Sequence, residues 1–327
     1  MQAVQMTGFG GPEVLSLTDV AIPEPGVAQV LIRVSATSVN RADLTQRAGS
    51  YPPPKGDSEI LGLEVAGVIE KLGPRVTGCE PGERVMSLVG GGGYAEYAVA
   101  YARHLIRIPE RLSFEQAACV TETYITAHLN IFSVGRLADG EAVLLHGGGG
   151  GVNTAGIQLC KQLTPANRVL VTASPGKLER VSALGADRVI DYRNEAFEEI
   201  VHSDTEGRGV DVILDHIGRT YLTNNLKALA VGGRLVIIGV MSGGKAEINL
   251  ARLMVKRQHV IGSVLRSRPI EEKTAITEHF IGEVLPLFAS GAIEPLIHEV
   301  LPLKDVAEAH RAMEASTHFG KIVLSLV

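Results

Sequence analysis

The period of apolar and polar positions changes near residue 113. Before it, short apolar runs at 30–36, 63–70, 84–89 and 95–99 are separated by turn signals: Gly73-Pro74, Pro81-Gly82 and the glycines from Gly90 to Gly93. Frequent strands broken by turns predict a compact, partly open β-barrel. A helix is expected over 42–47, just after Asn40. Tyr51 is followed by Pro52, Pro53 and Pro54. Proline lacks a backbone donor and has a fixed φ, so this stretch is expected to be a rigid loop rather than helix interior or central strand.

Beyond residue 113 the pattern alternates between short apolar runs and amphipathic stretches. Ser113 and Gln116 have the spacing of a capping box, which opens a helix through Val120. A second helix is expected over 123–134. Strands follow at 142–145, 168–173, 188–191, 210–215, 234–240 and 259–265, with helices at 152–163, 177–184, 197–202, 221–229 and 250–257. Six β units joined by helical crossovers imply an α/β fold, a doubly wound parallel six-stranded sheet with helices on both faces. After it come a helix at 281–288, a strand at 297–301, a helix at 305–315 and a final strand at 321–326. This tail is too small to fold alone and is expected to complete the first domain. The expected division is 1–120 with 267–327 against 121–266.

The glycine run Gly147 to Gly151 falls between the first strand and first helix of the alternating part. Strand, tight turn and helix start are the parts of a pyrophosphate-binding crossover: glycine lets a ligand approach the backbone, and the helix N-terminus offers free N–H groups and partial positive charge. A glycine run alone is often only a flexible linker; the six β units around it carry the argument.

Composition narrows the classes. Hydrophobic residues at 45% and charged residues at 20% describe a globular protein with ample core. A net charge of −5 gives no reason to expect nucleic acid or an anionic membrane as partner. Cys79, Cys119 and Cys160 are an odd, dispersed set, which argues against a disulfide framework and fits a reducing cytoplasm. Met1 to Met6 lack the pattern of a signal peptide, and no apolar run has the length of a membrane span.

Several motifs occur in a fixed order: Asn40-Arg-Ala-Asp-Leu44, Ile60-Leu-Gly-Leu-Glu64, Gly78-Cys-Glu-Pro-Gly-Glu-Arg-Val85, Gly91-Gly-Gly-Tyr-Ala-Glu-Tyr97, Leu184-Gly-Ala-Asp187, Met241-Ser-Gly-Gly244, Leu265-Arg-Ser-Arg268 and Gly320-Lys-Ile-Val-Leu324. This set, spread over the whole chain, resembles the zinc-free quinone oxidoreductases of the medium-chain dehydrogenase/reductase superfamily, most of all their p53-inducible group. The resemblance implies a GroES-like catalytic domain with a Rossmann nucleotide domain inserted, and a homodimer paired through the nucleotide domains. Zinc-dependent relatives carry a cysteine where this chain has Asn40 or Arg41 and a histidine where it has Leu63. They also carry a four-cysteine structural lobe, which three dispersed cysteines cannot supply. Without a Lewis acid, alcohol oxidation is disfavoured, whereas a quinone or activated enone needs less help to accept hydride.

An NAD-specific fold places Asp or Glu at the end of the second strand. Here that strand runs into Ser174 and Lys177, a hydroxyl and a cation that suit the 2′-phosphate of NADPH. The resemblance adds that Lys177 and Tyr192 contact that phosphate; a solvated lysine and a packing tyrosine are the plain alternatives. Gly149, Gly150, Gly151, Val152 and Asn153 are expected to meet the pyrophosphate. The family pattern has a third glycine where Asn153 stands; Asn tolerates left-handed angles and can donate a hydrogen bond. Thr126, Gly239, Met241 and Leu265 are expected near the cofactor, Leu265 as the end of the sixth strand. Phe319, Gly320 and Lys321 are expected to close over it.

Three residues are expected to carry the chemistry. Asn40 and Asp43 stand where zinc would otherwise lie, and Tyr51 could hydrogen-bond a quinone oxygen or relay a proton. Against this, Asp43 could be only a helix N-terminal charge, Tyr51 a surface aromatic and Thr126 a structural helix residue. His146 reads as a buried polar spacer, and Cys119 and Cys160 as core residues. Arg266 and Arg268 fit a phosphate or interface group and a solvated turn equally. The expected activity is NADPH-dependent reduction of a small-molecule quinone or enone. An enoyl-thioester reductase and a nucleotide-binding regulatory protein with weak turnover are the competing readings.

Overall fold

The computed structural model describes residues 1–326. They form two compact units, Met1–Ile125 together with the chain from Leu265 onward, and Thr126–Val264. The first unit contains β1 (Gln2–Met6), β2 (Leu15–Asp19), β3 (Gln29–Ser38), α1 (Arg41–Arg47), β4 (Glu64–Leu72), β5 (Arg84–Leu88), β6 (Tyr97–Tyr101), β7 (Leu105–Arg107) and α2 (Phe114–Ala117). Helix α3 (Thr121–His128) spans the division and continues as a π-helical turn, Leu129–Val134. The second unit holds β8 (Ala142–His146), α4 (Gly151–Leu163), β9 (Arg168–Ala173), α5 (Leu178–Ala183), β10 (Arg188–Asp191), α6 (Phe197–Asp204), β11 (Val210–Asp215), α7 (Leu222–Ala228), β12 (Leu229–Ile237), α8 (Leu250–Val255) and β13 (His259–Gly262). The chain then returns to the first unit as α9 (Ile270–Glu283), α10 (Leu285–Ser290), β14 (Ile297–Pro302), α11 (Val306–Ala315) and β15 (Lys321–Ser325).

The second unit is the expected parallel sheet, in the order β10-β9-β8-β11-β12-β13. Every residue of β8 is buried, as a central strand covered on both faces requires. The chain leaves β8 to build β9 and β10 on one side, then β11 to β13 on the other, so the order reverses beside β8. In open α/β sheets a ligand site forms at that reversal, beyond the carboxyl ends of the strands. The glycine run begins there.

The first unit is built on a separate sheet in the order β14-β15-β3-β4-β5-β7, with β6 also paired to β3. The tail completes it: β15 runs antiparallel to β3, with Val323 opposite Ser38 and Leu324 opposite Thr37. Val306, Ala309 and Met313 of α11 pack with Val39, Leu44 and Ile322 in one buried cluster. Burial of that amphipathic face drives the return of the tail.

Several boundaries differ from the sequence expectation. The helix expected at 281–288 is two helices, because Pro286 lacks the N–H that a continuous helix would use. The helix expected over 123–134 is α-helical only through His128. The fifth strand begins at Leu229 and crosses an irregularity opposite Val210 and Val212. The sixth ends at Gly262, so Leu265 lies beyond it. Strands β1, β2 and β7 are short and lie outside the periodic runs that marked the others.

Candidate active site

Glu64, the first residue of β4, is fully buried. Its Oε1 accepts from Ser38 Oγ at 2.7 Å, Asn40 Nδ2 at 3.0 Å and Lys321 Nζ at 3.0 Å. Its Oε2 accepts from Thr121 Oγ1 at 3.2 Å and from the Glu122 amide at 2.8 Å. Lys321 also donates to Asn40 Oδ1 at 2.5 Å and to the Val39 carbonyl at 3.2 Å. An ammonium has three donors, and all three are used. The carboxylate thus ties together the end of β3, the start of β4, the start of α3 and β15.

This arrangement holds three of the expected site residues. Lys321 does not close over a cofactor through its amine, which is buried and saturated against Glu64 and Asn40. The Asn40 amide is spent on Glu64 and Lys321. Asp43, expected to do chemistry, is fully buried and serves the start of α1: it accepts from the Asn40 amide at 2.8 Å, the Gly62 amide at 3.0 Å and the Tyr94 hydroxyl at 3.1 Å. Burial pushes its carboxyl group up to about 6 despite those donors. Tyr94 Oη lies 3.2 Å from His310 Nε2, and His310 Nδ1 lies 3.0 Å from Arg47 Nη1. A polar chain therefore runs through the apolar interior of this unit.

Tyr51 is in a different setting. It is partly exposed, and the Arg266 guanidinium lies 5.1 Å from its ring centroid. Arg266 itself is buried. It donates to the carbonyls of Gly90 at 2.9 Å and Tyr51 at 3.3 Å and to Gln46 Oε1 at 2.7 Å. It is thus a clamp that holds the proline-rich loop, the glycine loop and α1 in one place, whereas Arg268 pairs with Glu272 one turn along α9. Burial pushes the Tyr51 phenol up, and the charge of Glu122 adds to this. Glu122, Arg266, Leu265, Asp57, His104 and Lys273 are among the residues that line a cavity of about 30 Å³. Leu265 is therefore a buried residue of this unit, not the end of the parallel sheet as expected.

In the second unit, Gly147 has φ of 79°. That left-handed angle turns the chain so that the Gly147 and Gly148 amides both reach the Thr172 carbonyl, at 3.0 and 2.8 Å. A Cβ on Gly149 would overlap Lys177 Cδ and lie 3.2 Å from its Nζ, so the lysine side chain lies along the bare turn. Gly150 is the N-cap of α4 and Gly151 its first residue. The turn therefore offers helix N–H groups and a nearby cation to an anion. Ser174 follows β9 and caps the short turn Pro175–Lys177, Tyr192 is 40% exposed just after β10, and no acid ends β9.

Asn153 takes no left-handed angle. It is a buried residue of α4 whose Nδ2 donates to the carbonyls of His146 and Gly147. It pins the strand end to the helix. The close helix–sheet approach expected of a third glycine comes instead at Gly156, where a Cβ would lie 3.0 Å from Ile131 and 3.2 Å from Leu145.

Beneath the turn His146 is buried between Thr172 Oγ1 at 3.1 Å and Asn225 Oδ1 at 2.7 Å. Asn225 Nδ2 donates to Asp215 at 3.2 Å, so its Oδ1 must accept from His146 Nε2–H, and His146 Nδ1 accepts from Thr172. Burial holds His146 down at about 3, a neutral spacer as expected. Of the other expected cofactor residues, Thr126 is buried in α3 with its carbonyl accepting from Asn130 at 2.8 Å. Val152 is partly exposed in the first turn of α4, Gly239 lies against His216, Met241 is 52% exposed and Phe319 is buried. Sequence reasoning missed Glu64, Glu122, Thr172 and Asn225. Glu64 had one signal, an acid inside an apolar run.

The chain is similar to known proteins along its full length. The alcohol dehydrogenase GroES-like domain matches residues 26–110, and the zinc-binding dehydrogenase domain matches 184–324. A quinone oxidoreductase of Lama guanicoe is 36% identical over 100% of this chain and 98% of its own. Among solved structures, an NAD-dependent alcohol dehydrogenase is 33% identical with a TM-score of 0.89, covering 100% of both chains. A mycobacterial protein complexed with NADPH is 32% identical with a TM-score of 0.88, covering 99% of this chain and 100% of its own.

Two outcomes are expected of the buried groups. Lys321→Met leaves Glu64 buried without its cation and should cost about 3–5 kcal/mol of unfolding free energy. The double variant with Glu64→Gln should cost clearly less than the two single changes together, and denaturant unfolding of the four proteins measures this coupling. The pH response follows from His146, held at about 3 in the folded chain against roughly 6.5 when unfolded. Its contribution is complete above the unfolded value and is lost as pH falls toward the folded one, because only the unfolded state takes up the proton. His146→Gln should therefore flatten the stability profile between these limits, measured by denaturant titration at a series of pH values.

Proposed function

The chain belongs to the quinone oxidoreductases of the medium-chain dehydrogenase/reductase superfamily, and on that premise we propose that it reduces a quinone or activated enone with NADPH and without zinc. The observation that carries the cofactor choice is the second strand's end: no acid, Ser174 in its place, and Lys177 lying along the glycine turn. A ribose 2′-hydroxyl calls for a carboxylate there, and a 2′-phosphate calls for a cation and hydroxyl donors. Gly149, Gly150, Gly151 and Val152 would hold the pyrophosphate at the start of α4, and Ser174, Lys177 and Tyr192 the 2′-phosphate. The bound cofactor supplies the hydride.

Leu63 offers no ligand atom, the Asn40 amide is engaged, and the Glu64 carboxylate already accepts from five donors. A set of this kind does not fit zinc, which takes thiolate, imidazole or free carboxylate ligands. Polarisation of the acceptor falls to hydrogen bonding. Tyr51 is the group we assign to it: its ring is held by Arg266 while its side chain remains partly exposed.

We also propose a cytoplasmic homodimer. No helix among the described residues is long and apolar enough to cross a membrane, and the three cysteines are unpaired. Strand β13 is an edge of the parallel sheet. Around it the exposed apolar side chains concentrate: Val231, Leu250, Met254, Val255 and Val260 are 56, 67, 72, 70 and 37% exposed. An edge strand bordered by apolar surface is unfavourable in water, and a second copy of the same face would cover it.

Two experiments test these readings. Oxidation of NADPH and NADH is followed with an ortho-quinone, a para-quinone and an enoyl thioester. Preference for NADPH with a quinone is expected; turnover with the thioester alone would replace quinone reduction by enoyl reduction. Lys177→Ala should raise the KM for NADPH by roughly 10- to 100-fold, the loss of one charge-assisted hydrogen bond, and leave that for NADH unchanged. For the second, light scattering should give twice the chain mass for the native protein and a monomer for Leu250→Glu combined with Met254→Glu.

A further inference from the structure

The glycine turn of the second unit has a nitrogen-bearing side chain on each flank. On one flank Lys177 runs along Gly149: a Cβ there would overlap its Cδ and lie 3.2 Å from its Nζ. On the other stands His216, the residue after β11, with its ring edge toward Gly147: a Cβ on Gly147 would lie 3.0 Å from both Cε1 and Nε2. Gly239, beyond the end of β12, leaves room for the same residue, since a Cβ on it would lie 3.1 Å from His216 Cβ. Two bare backbone positions therefore admit one partly exposed imidazole.

The backbone around His216 is fixed. Asp215, the buried last residue of β11, accepts from the Ile217 amide at 2.6 Å and from Asn225 Nδ2 at 3.2 Å. The His216 carbonyl accepts from the Met241 amide at 3.1 Å. Strands β8 and β11 are neighbours in the sheet, with Leu145 opposite Leu214. Gly147 and His216 thus follow the two strands between which the order reverses. A dinucleotide laid across such a reversal has one half on each side. Lys177 follows β9, on one side of β8, and His216 follows β11, on the other.

We propose that His216 is a cofactor-binding residue: its imidazole donates to the phosphate of the nicotinamide half of NADPH, while Lys177 holds the adenosine half. This rests on the cofactor reading above. The two flanks then have different effects. Lys177 meets the 2′-phosphate, which NADH lacks, and so sets selectivity. His216 meets a phosphate common to both cofactors, and so sets affinity without choosing between them. A hydrogen bond to an ionised phosphate is among the stronger kinds, and the fixed backbone places its donor before the ligand arrives.

Equilibrium binding to the full-length protein, measured by calorimetry, tests this with three ligands: NADPH, NADH and adenosine 2′,5′-bisphosphate, which carries the 2′-phosphate and no nicotinamide half. His216→Ala should weaken NADPH and NADH alike, by about 10-fold, and leave adenosine 2′,5′-bisphosphate unchanged. That unchanged ligand also shows the variant to be folded. His216→Gln, which keeps an N–H donor, should recover part of the loss. Lys177→Ala should give the opposite pattern, weakening NADPH and adenosine 2′,5′-bisphosphate but not NADH. Native affinity for both dinucleotides in His216→Ala, or an equal loss of all three ligands in both His216 variants, overturns the assignment. A native protein that binds none of the three overturns the NADPH reading instead, so the two failures are told apart.

Discussion

The first unit depends on one buried ion pair. Glu64 and Lys321 are 257 residues apart in sequence and meet at 3.0 Å with almost no solvent exposure. Taking both charges out of water costs several kcal/mol per ion, and the attraction between them offsets this only when the remaining lone pairs and protons are also satisfied. Here they are, by Ser38, Asn40, Thr121, the Glu122 amide and the Val39 carbonyl. The constraint is strict because four separate parts of the chain, around residues 38–40, 64, 121–122 and 321, must meet. The tail must return as β15 for Lys321 to be in place, and α3 must begin at Thr121 for the other carboxylate oxygen to be used.

Glu64 is saturated with donors. The Glu122 backbone amide is one of its donors, and the Glu122 side chain lines the cavity of about 30 Å³. The same economy explains Asn40 and Asp43. Their polar atoms are committed to the frame: Asp43 to the start of α1 and to Gly62, Asn40 to Glu64 and Lys321. The partly exposed Tyr51 is held by Arg266, through its ring and its carbonyl.

The second unit solves a similar problem with neutral groups. The glycine turn rests on Thr172, which accepts from the Gly147 amide and also bonds His146; His146 leads to Asn225 and Asp215. Holding the turn from below leaves its upper side to the helix N-terminus and Lys177. A neutral histidine serves here because a charged one would put a cation in the apolar interior, where burial already holds it unprotonated.

The sequence by itself determined the elements and their grouping. Apolar periodicity marked all six parallel strands to within a few residues, most plainly the central β8, β9 and β11, which are buried on both faces. The glycine run and the absence of an acid after β9 were legible because backbone approach and ribose recognition act within a few residues. Strand ends were less legible: nothing local stops β13 at Gly262, and only packing moves Leu265 into the other unit. The roles of polar residues were decided by tertiary structure. Asn40, Asp43 and Lys321 are joined to the frame by buried hydrogen bonds that their sequence positions do not announce, and Glu64, which collects them, stands in ordinary surroundings. A hydrogen-bond acceptor is defined by who donates to it, and those donors come from segments up to 257 residues away. Periodicity records which side of an element is buried; it does not record which buried polar groups meet.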